Sequence, residues 1–180
     1  MGGEIDGHGS NLSGGPLRDA LLRIPPPLVY VAVFLVGVAI DAVLPTPPIP
    51  GELERSRELV GAAILALGVL LGPANALMFL FRGTTLNPVG SPKRLFTGGV
   101  YRVSRNPMYL GLLMIYVGVA LVQWQLWAFL LVLIPFLVVD RIYIPAEEQR
   151  MSEAFGEPYE RYSKRVRRWL GTRLSSSAAS

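Results

Sequence analysis

Four apolar stretches of the chain are long enough to leave water, and polar punctuation separates them. The first, Leu28 to Leu44, is broken only by Asp41 and follows a Pro25-Pro26-Pro27 block. It is near the lower limit for crossing a hydrocarbon core about 30 Å thick. Asp41 falls close to its end, where a carboxylate reaches the interface cheaply, so it reads as an interfacial charge. Pro45 to Pro50 is too proline-rich for helix or central strand and predicts a stiff connector. The second stretch, Leu59 to Phe81, carries Gly61, Ala62, Ala66, Gly68 and Gly72 at three- and four-residue intervals. Small residues spaced this way let membrane helices approach closely. Pro73 is expected to bend this helix, with Asn75 satisfying a carbonyl that the bend releases.

From Met108 to Val139 the chain is almost continuously apolar, which as a single helix is about 48 Å at 1.5 Å per residue. One crossing needs less. Gln123-Trp124-Gln125, with Trp127 close by, is an interfacial signature in the middle of the run. The run therefore predicts a tight hairpin, with one span from Pro107 to Val122 and another from Gln125 to about Tyr143. Past Pro145 the chain turns charged, and Ala146 to Val166 has helical character broken near Gly156-Glu157-Pro158. Glu153, Glu157 and Glu160 alternate there with Arg161, Lys164 and Arg165, a solvated helix face. The pattern predicts an all-α integral membrane protein with about four transmembrane helices, near 28–44, 59–81, 107–122 and 125–143. A C-terminal helical segment over 145–170 follows. Residues 1–24 read as a flexible arm, rich in Gly and Ser, ending in an interfacial turn around Leu17 to Ile24. Residues 25–180 read as a single membrane domain.

Composition agrees with that class. Of 180 residues, 51% are hydrophobic and 17% charged, with mean hydropathy +0.41. Cysteine is absent, and His8 in the N-terminal arm is the one histidine. Thiolate chemistry and a Ser-His relay have no basis, and neither does a metal centre. With both ends in the cytoplasm, four spans put 15 of the 17 Lys+Arg inside and leave Arg55 and Arg57 outside. The positive-inside rule selects this multi-pass orientation. No nucleic-acid partner is expected; membrane lipids are.

The densest chemistry lies in Thr97 to Gly111, TGGVYRVSRNPMYLG. Asn106-Pro107 is a helix-start signal, since Asn accepts free backbone N–H groups and Pro fits the first helical position. Such a start, with Arg105 one residue ahead, favours an anionic group. Basic and aromatic residues at headgroup level account for the same stretch as a juxtamembrane anchor. Glu147-Glu148 by itself reads as an acidic pair at a helix start after Pro145, favoured by the dipole.

Together the motifs say more. Gly99-x-Tyr101-x-x-x-Arg105-Asn106-Pro107-x-Tyr109-x-Gly111 resembles the isoprenylcysteine carboxyl methyltransferase family and the wider class of small, phospholipid methyltransferase-like membrane enzymes. The likeness continues in Pro145-x-Glu147-Glu148 and in Phe155-Gly156-x-x-Tyr159-x-x-Tyr162-x-x-x-Val166. Gly83 to Pro88 also looks like the segment preceding the motif in bacterial members. It covers roughly the C-terminal half, and two linked motifs are more specific than one. The resemblance implies an S-adenosylmethionine-dependent methyltransferase that leaves S-adenosylhomocysteine, with the two blocks and the tail over 145–170 wrapping the cofactor. The implied cofactor contacts are Gly99, Tyr101, Asn106, Pro107, Tyr109, Gly111, Glu148, Tyr159 and Tyr162, with Gly98 beside them. Arg105 or Glu147 is implied to orient cofactor or acceptor, as candidate catalytic residues. Where many members carry Arg-His-Pro, this chain has Arg105-Asn106-Pro107, and Asn cannot exchange a proton near neutral pH.

The residue types suit that cofactor. An arginine or helix start suits its carboxylate. Carboxylates suit its ammonium and ribose hydroxyls, and aromatic faces suit adenine and sulfonium. The implied acceptor is lipophilic and enters from the bilayer: a prenylcysteine-type carboxylate or another lipid-like carboxylate, amine or thiol. Two other readings remain open on sequence. A nicotinamide-dependent membrane reductase carries a similar Arg-x-Pro-x-Tyr-x-Gly block but is far longer. A non-catalytic scaffold that binds anionic lipid or a partner explains the arginines, but not the glutamates and paired tyrosines.

Overall fold

The computed structural model describes residues 15–73 and 95–173. Asn75, Gly83 to Pro88, Lys93, Arg94, the end of the second apolar stretch and most of the N-terminal arm lie outside the described residues. Among those described there is no strand. The chain forms α1 (Pro16–Leu22), α2 (Pro26–Val43), α3 (Gly51–Leu71), a 3-10 turn (Gly99–Arg102), α4 (Pro107–Val122) and α6 (Glu157–Arg165). Between the last two runs α5 (Leu126–Phe155), a 30-residue helix.

Several helix starts use proline. A Pro lies in the first two positions of α1, α2, α4 and α6, where its missing N–H removes no helical bond. For this reason α2 starts at Pro26, inside the proline block, rather than at Leu28. α3 also starts early, at Gly51 instead of Leu59, because Glu52 and Glu54 favour its positive end. Pro45 to Pro50 has no regular structure, as expected of a stiff connector. Asp41 is spoken for: its Oδ1 accepts the backbone N–H of Thr46 at 2.8 Å, along with the Thr46 hydroxyl.

The main correction concerns α5. It was expected to end near Tyr143, before Pro145, and instead continues to Phe155. Val139–Tyr143 is π-helical, and the Ile144 N–H reaches back five residues to the Val139 carbonyl. A proline at position 145 has no N–H to donate and crowds the carbonyl four residues earlier; the wider π turn makes room for it. Gly156, at φ +54°, ends the helix and turns the chain into α6. Glu147 and Glu148 are therefore inside a helix rather than at its start, and the dipole does not explain them.

By length and composition α2 and α5 can each cross a membrane, and α4 is a shorter apolar helix. Leu28, Leu35, Leu67, Leu70, Leu133 and Leu137 are all at least 45% exposed, an apolar outer belt on α2, α3 and α5. Inside, α3 and α4 meet backbone to backbone. A Cβ on Gly111 would lie 2.3 Å from the Gly72 nitrogen, and one on Gly118 2.6 Å from the Leu65 nitrogen. α2 approaches α5 in the same way at Gly37 and Ala128. Glycine at these positions is what lets the helices touch.

The two ends of the bundle differ. At one, Trp124 and Trp127 donate to the carbonyls of Pro47 and Leu44 at 2.8 and 2.6 Å. Arg57 donates to the Val122 carbonyl at 2.9 Å and lies 5.6 Å from the Trp124 ring centre, capping α4 and the hairpin turn. At the other end the Tyr143 hydroxyl lies 2.6 and 2.8 Å from the Leu21 and Ile24 carbonyls, which ties α1 to α5. The chemically loaded motifs are at this second end.

Candidate functional site

Past α6 the chain folds back on itself. Val166 and Thr172 form an antiparallel bridge, and the Arg167 N–H donates to the Gly171 carbonyl at 2.9 Å. This strap is stitched to the Arg105 motif: the Gly171 N–H donates to Val103 at 2.7 Å and the Arg105 N–H to Arg167 at 3.1 Å. It also alters the start of α4. The Asn106 side chain was expected to cap α4 but makes no capping bond; its Nδ2 donates to the Arg168 carbonyl at 3.0 Å. Buried Ser104 accepts the Asn106 N–H at 3.1 Å. Asn106 holds the strap, and Pro107 alone supplies the helix-start chemistry.

The strap brings four charged side chains into one line. Arg105 Nη2 lies 2.9 Å from Glu148 Oε1, joining the two sequence blocks. Arg168 grips the same carboxylate with a fork, Nε at 3.2 Å and Nη2 at 2.7 Å. Arg168 Nη1 also lies 3.4 Å from Asp140 Oδ1, and the Trp169 indole N–H donates to that oxygen at 2.9 Å. The side chains of Arg105 and Glu148 are only 10% and 21% exposed, so the pair is far less screened than a surface bridge. Hydrogen bonding to Glu148 holds Arg168 above the usual arginine range, so it stays charged. Arg105 Nε is buried with no hydrogen-bond partner.

Successive helix positions are about 100° apart, so Glu147 points away from this line. It accepts the Tyr109 hydroxyl at 2.6 Å. Tyr109 belongs to a buried cluster with Tyr30, Tyr116, Tyr143, Val139 and Ile144, where α2, α4 and α5 meet. The Tyr30 hydroxyl is buried there without a partner.

A second cluster holds Tyr159, Tyr162 and Val166, with Tyr101 and Leu95 against it. Tyr162 donates to the Tyr101 carbonyl at 2.8 Å, and the Tyr159 hydroxyl lies 3.5 Å from Arg105 Nη1. Burial pushes the Tyr162 phenol up to about 12 and raises Tyr159, which neighbouring Glu148 raises further. Both are neutral hydroxyls at physiological pH. An open cavity of about 310 Å³ lies outside this cluster, walled by Leu95, Pro158, Tyr162 and Arg165.

Of the residues singled out in the sequence, Arg105, Asn106, Pro107, Tyr109, Glu147, Glu148, Tyr159, Tyr162 and Tyr101 gather at this end. Gly99 stands at the edge, at φ +58° with open space around it. Gly111 faces Gly68 and Gly72 of α3, so helix packing accounts for its missing side chain. Sequence reasoning passed over Asp140, Arg168, Ser104 and Trp169. For Asp140 a signal existed, a carboxylate inside an apolar run; Arg168 lay hidden in the general basicity of the tail.

A family model described as phospholipid methyltransferase matches residues 56–158. An uncharacterized protein of Haemophilus influenzae is 43% identical over 68 residues, which cover 35% of this chain and all of that protein. No solved structure matches the chain.

Proposed function

The chain belongs to the phospholipid methyltransferase family, and from that premise we propose that it moves a methyl group from S-adenosylmethionine to a lipophilic acceptor. The family and the two long apolar helices make it a membrane protein and a methyltransferase. The cofactor, the acceptor and the site residues are our reading. The observation that carries it is the 2.9 Å pairing of Arg105 with Glu148, which joins blocks separated by the whole hairpin.

The donor set suits S-adenosylmethionine. Arg105, with its unpartnered buried Nε, is placed to bind a carboxylate. Glu148 is the matching acceptor for an ammonium or a ribose diol. Tyr162, which lines the open cavity, with Tyr101 and Tyr159 packed against it, is the aromatic group assigned to adenine and sulfonium. Asn106, Pro107 and Gly99 set the backbone path of this wall. The sulfonium supplies an activated methyl carbon, so the protein's work is alignment and exclusion of water. Glu147, held by Tyr109 and facing the aromatic cluster between α2, α4 and α5, orients the acceptor. The acceptor is a lipid-like carboxylate, amine or thiol, a prenylcysteine-type carboxylate among them, reached from the bilayer. Residues 25–180 act as one domain, in which the stretches near 59–81 and 107–122 complete four spans. Both chain ends and the site face the cytoplasm.

The family favours methyl transfer over the reductase and scaffold readings. The test is isothermal titration of the detergent-purified protein with S-adenosylhomocysteine. Micromolar-range binding that Glu148→Ala abolishes supports the reading, whereas a folded protein that binds none of it overturns the cofactor assignment.

A further inference from the structure

Arg168 lies ten residues beyond the end of the family match, at 158, yet it touches the centre of the site. Its guanidinium spans two carboxylates on one helix: a two-point grip on Glu148 at 3.2 and 2.7 Å, and Asp140 at 3.4 Å. Asp140 is in the π-helical turn Val139–Tyr143, a local widening found inside α-helices and frequently at functional sites. An ionised carboxylate on an apolar helix is costly without partners. Asp140 has three from outside and beside it: Arg168, the Trp169 indole N–H, and exposed Arg141 at 3.4 Å. Trp169 in turn stacks at 5.0 Å on Phe136, one turn earlier in α5. The strap is fastened to α5 at that point by charge and by ring contact together.

Glu148 needs this fastening. It sits between two guanidiniums, and Arg105 alone would leave its second oxygen, now 2.7 Å from Arg168, without a partner. We propose that Arg168 is a positioning residue, fixed by Asp140 and Trp169, which holds the Glu148 carboxylate in its ligand-ready place and closes the Val166–Thr172 strap over the site. A bidentate fork suits this role, because it fixes the plane of the carboxylate as well as its position. The ligand half of the inference rests on the cofactor reading above; the strap half does not.

Two measurements separate these halves. In ligand-free protein in detergent, amide hydrogen exchange at Arg105, Arg167 and Gly171 reports the strap, because these N–H groups donate within it or across to it. Asp140→Asn and Arg168→Gln are each expected to speed exchange there by tenfold or more while leaving the α3–α4 seam unchanged. Unchanged exchange overturns the proposal whether or not the cofactor reading holds. The second measurement titrates S-adenosylhomocysteine into the same proteins. Arg168→Gln is expected to weaken binding about tenfold, Arg168→Lys less, and Asp140→Asn is expected to add nothing in the Arg168→Gln background. Independent, additive losses, or wild-type affinity in Arg168→Gln, overturn the positioning role. If wild-type protein binds no S-adenosylhomocysteine, the cofactor reading fails, and the exchange data alone decide the strap.

Discussion

Neighbouring glutamates on one helix have been given different company, and their substitutions should separate two functions. Glu148 is held between Arg105 and Arg168, so Glu148→Gln leaves two cations facing each other across a neutral amide. Breaking a fully buried pair costs roughly 3–5 kcal/mol. With Arg168 32% exposed, about 2 kcal/mol is expected here. Thermal unfolding in detergent reads that loss, and S-adenosylhomocysteine affinity should fall at least tenfold in the same protein. Tyr109→Phe instead removes one hydrogen bond to Glu147, worth about 0.5–1.5 kcal/mol. Its expected signature is the reverse: nearly normal S-adenosylhomocysteine affinity with a slower methyl transfer once an acceptor is in hand. Matching losses of cofactor affinity in both variants would mean that the two carboxylates serve one ligand. Spacing alone could not divide these roles. Adjacent acidic residues look equivalent in a sequence, and only the helix phase and the strap decide which arginine reaches which oxygen. Arg168 was illegible for the same reason, since its partners arrive from α5 through a chain reversal that no local pattern encodes.

The helices themselves were far more legible, because their limits are set locally. α4 runs from Pro107 to Val122 as the Asn-Pro start and the Gln-Trp-Gln stop indicate, and α6 follows the Gly156 break. The misplaced limits share a cause: the apolar run was taken for the helix. Charged turns start α3 at Gly51, ahead of its apolar stretch, and a π turn carries α5 through Pro145 to Phe155, past the end of its own. Of the small residues in the second apolar stretch, Gly61, Gly68 and Gly72 form the packing face, while Ala62 and Ala66 are exposed; the counterparts on α4, Gly111 and Gly118, show only in three dimensions. That seam makes a sharp contrast. Gly111→Ala places a methyl 2.3 Å from the Gly72 nitrogen, where backbone cannot give way, whereas Gly98→Ala meets nothing within 4 Å. Overpacking typically costs about 1–3 kcal/mol, so Gly111→Ala should lower the melting temperature clearly and Gly98→Ala should not. Equal melting curves would show that α3 and α4 separate more easily than their contact implies.

For the molecule as a whole, the ends of the bundle carry a topological commitment. The proline connector and the hairpin turn are joined at one end through Trp124, Trp127 and Arg57. α1, the strap and the charged network share the other, through Tyr143 and Arg168. With an apolar belt between them, a bilayer fitted to this shape puts α1 and the strap on one side and Pro47 on the opposite side. From the positive-inside rule we propose that the first side is the cytoplasmic one. The absence of cysteine from the whole chain turns this into a clean experiment. Single cysteines at half-buried Arg18 and at exposed Glu160 and Pro48 can be probed in intact cells with a membrane-impermeant maleimide. Pro48→Cys is expected to label from outside, and Arg18→Cys and Glu160→Cys only after the membrane is opened. If Glu160→Cys labels from outside, the site faces away from the cytoplasmic cofactor pool, and S-adenosylmethionine loses its claim as methyl donor. If Arg18→Cys and Glu160→Cys label from opposite sides, the number of crossings is odd, and α1 and the strap do not share one end of the bundle. The proposed function requires the expected pattern, in which a cofactor would reach Arg105 and Glu148 from water and an acceptor would approach Glu147 through lipid.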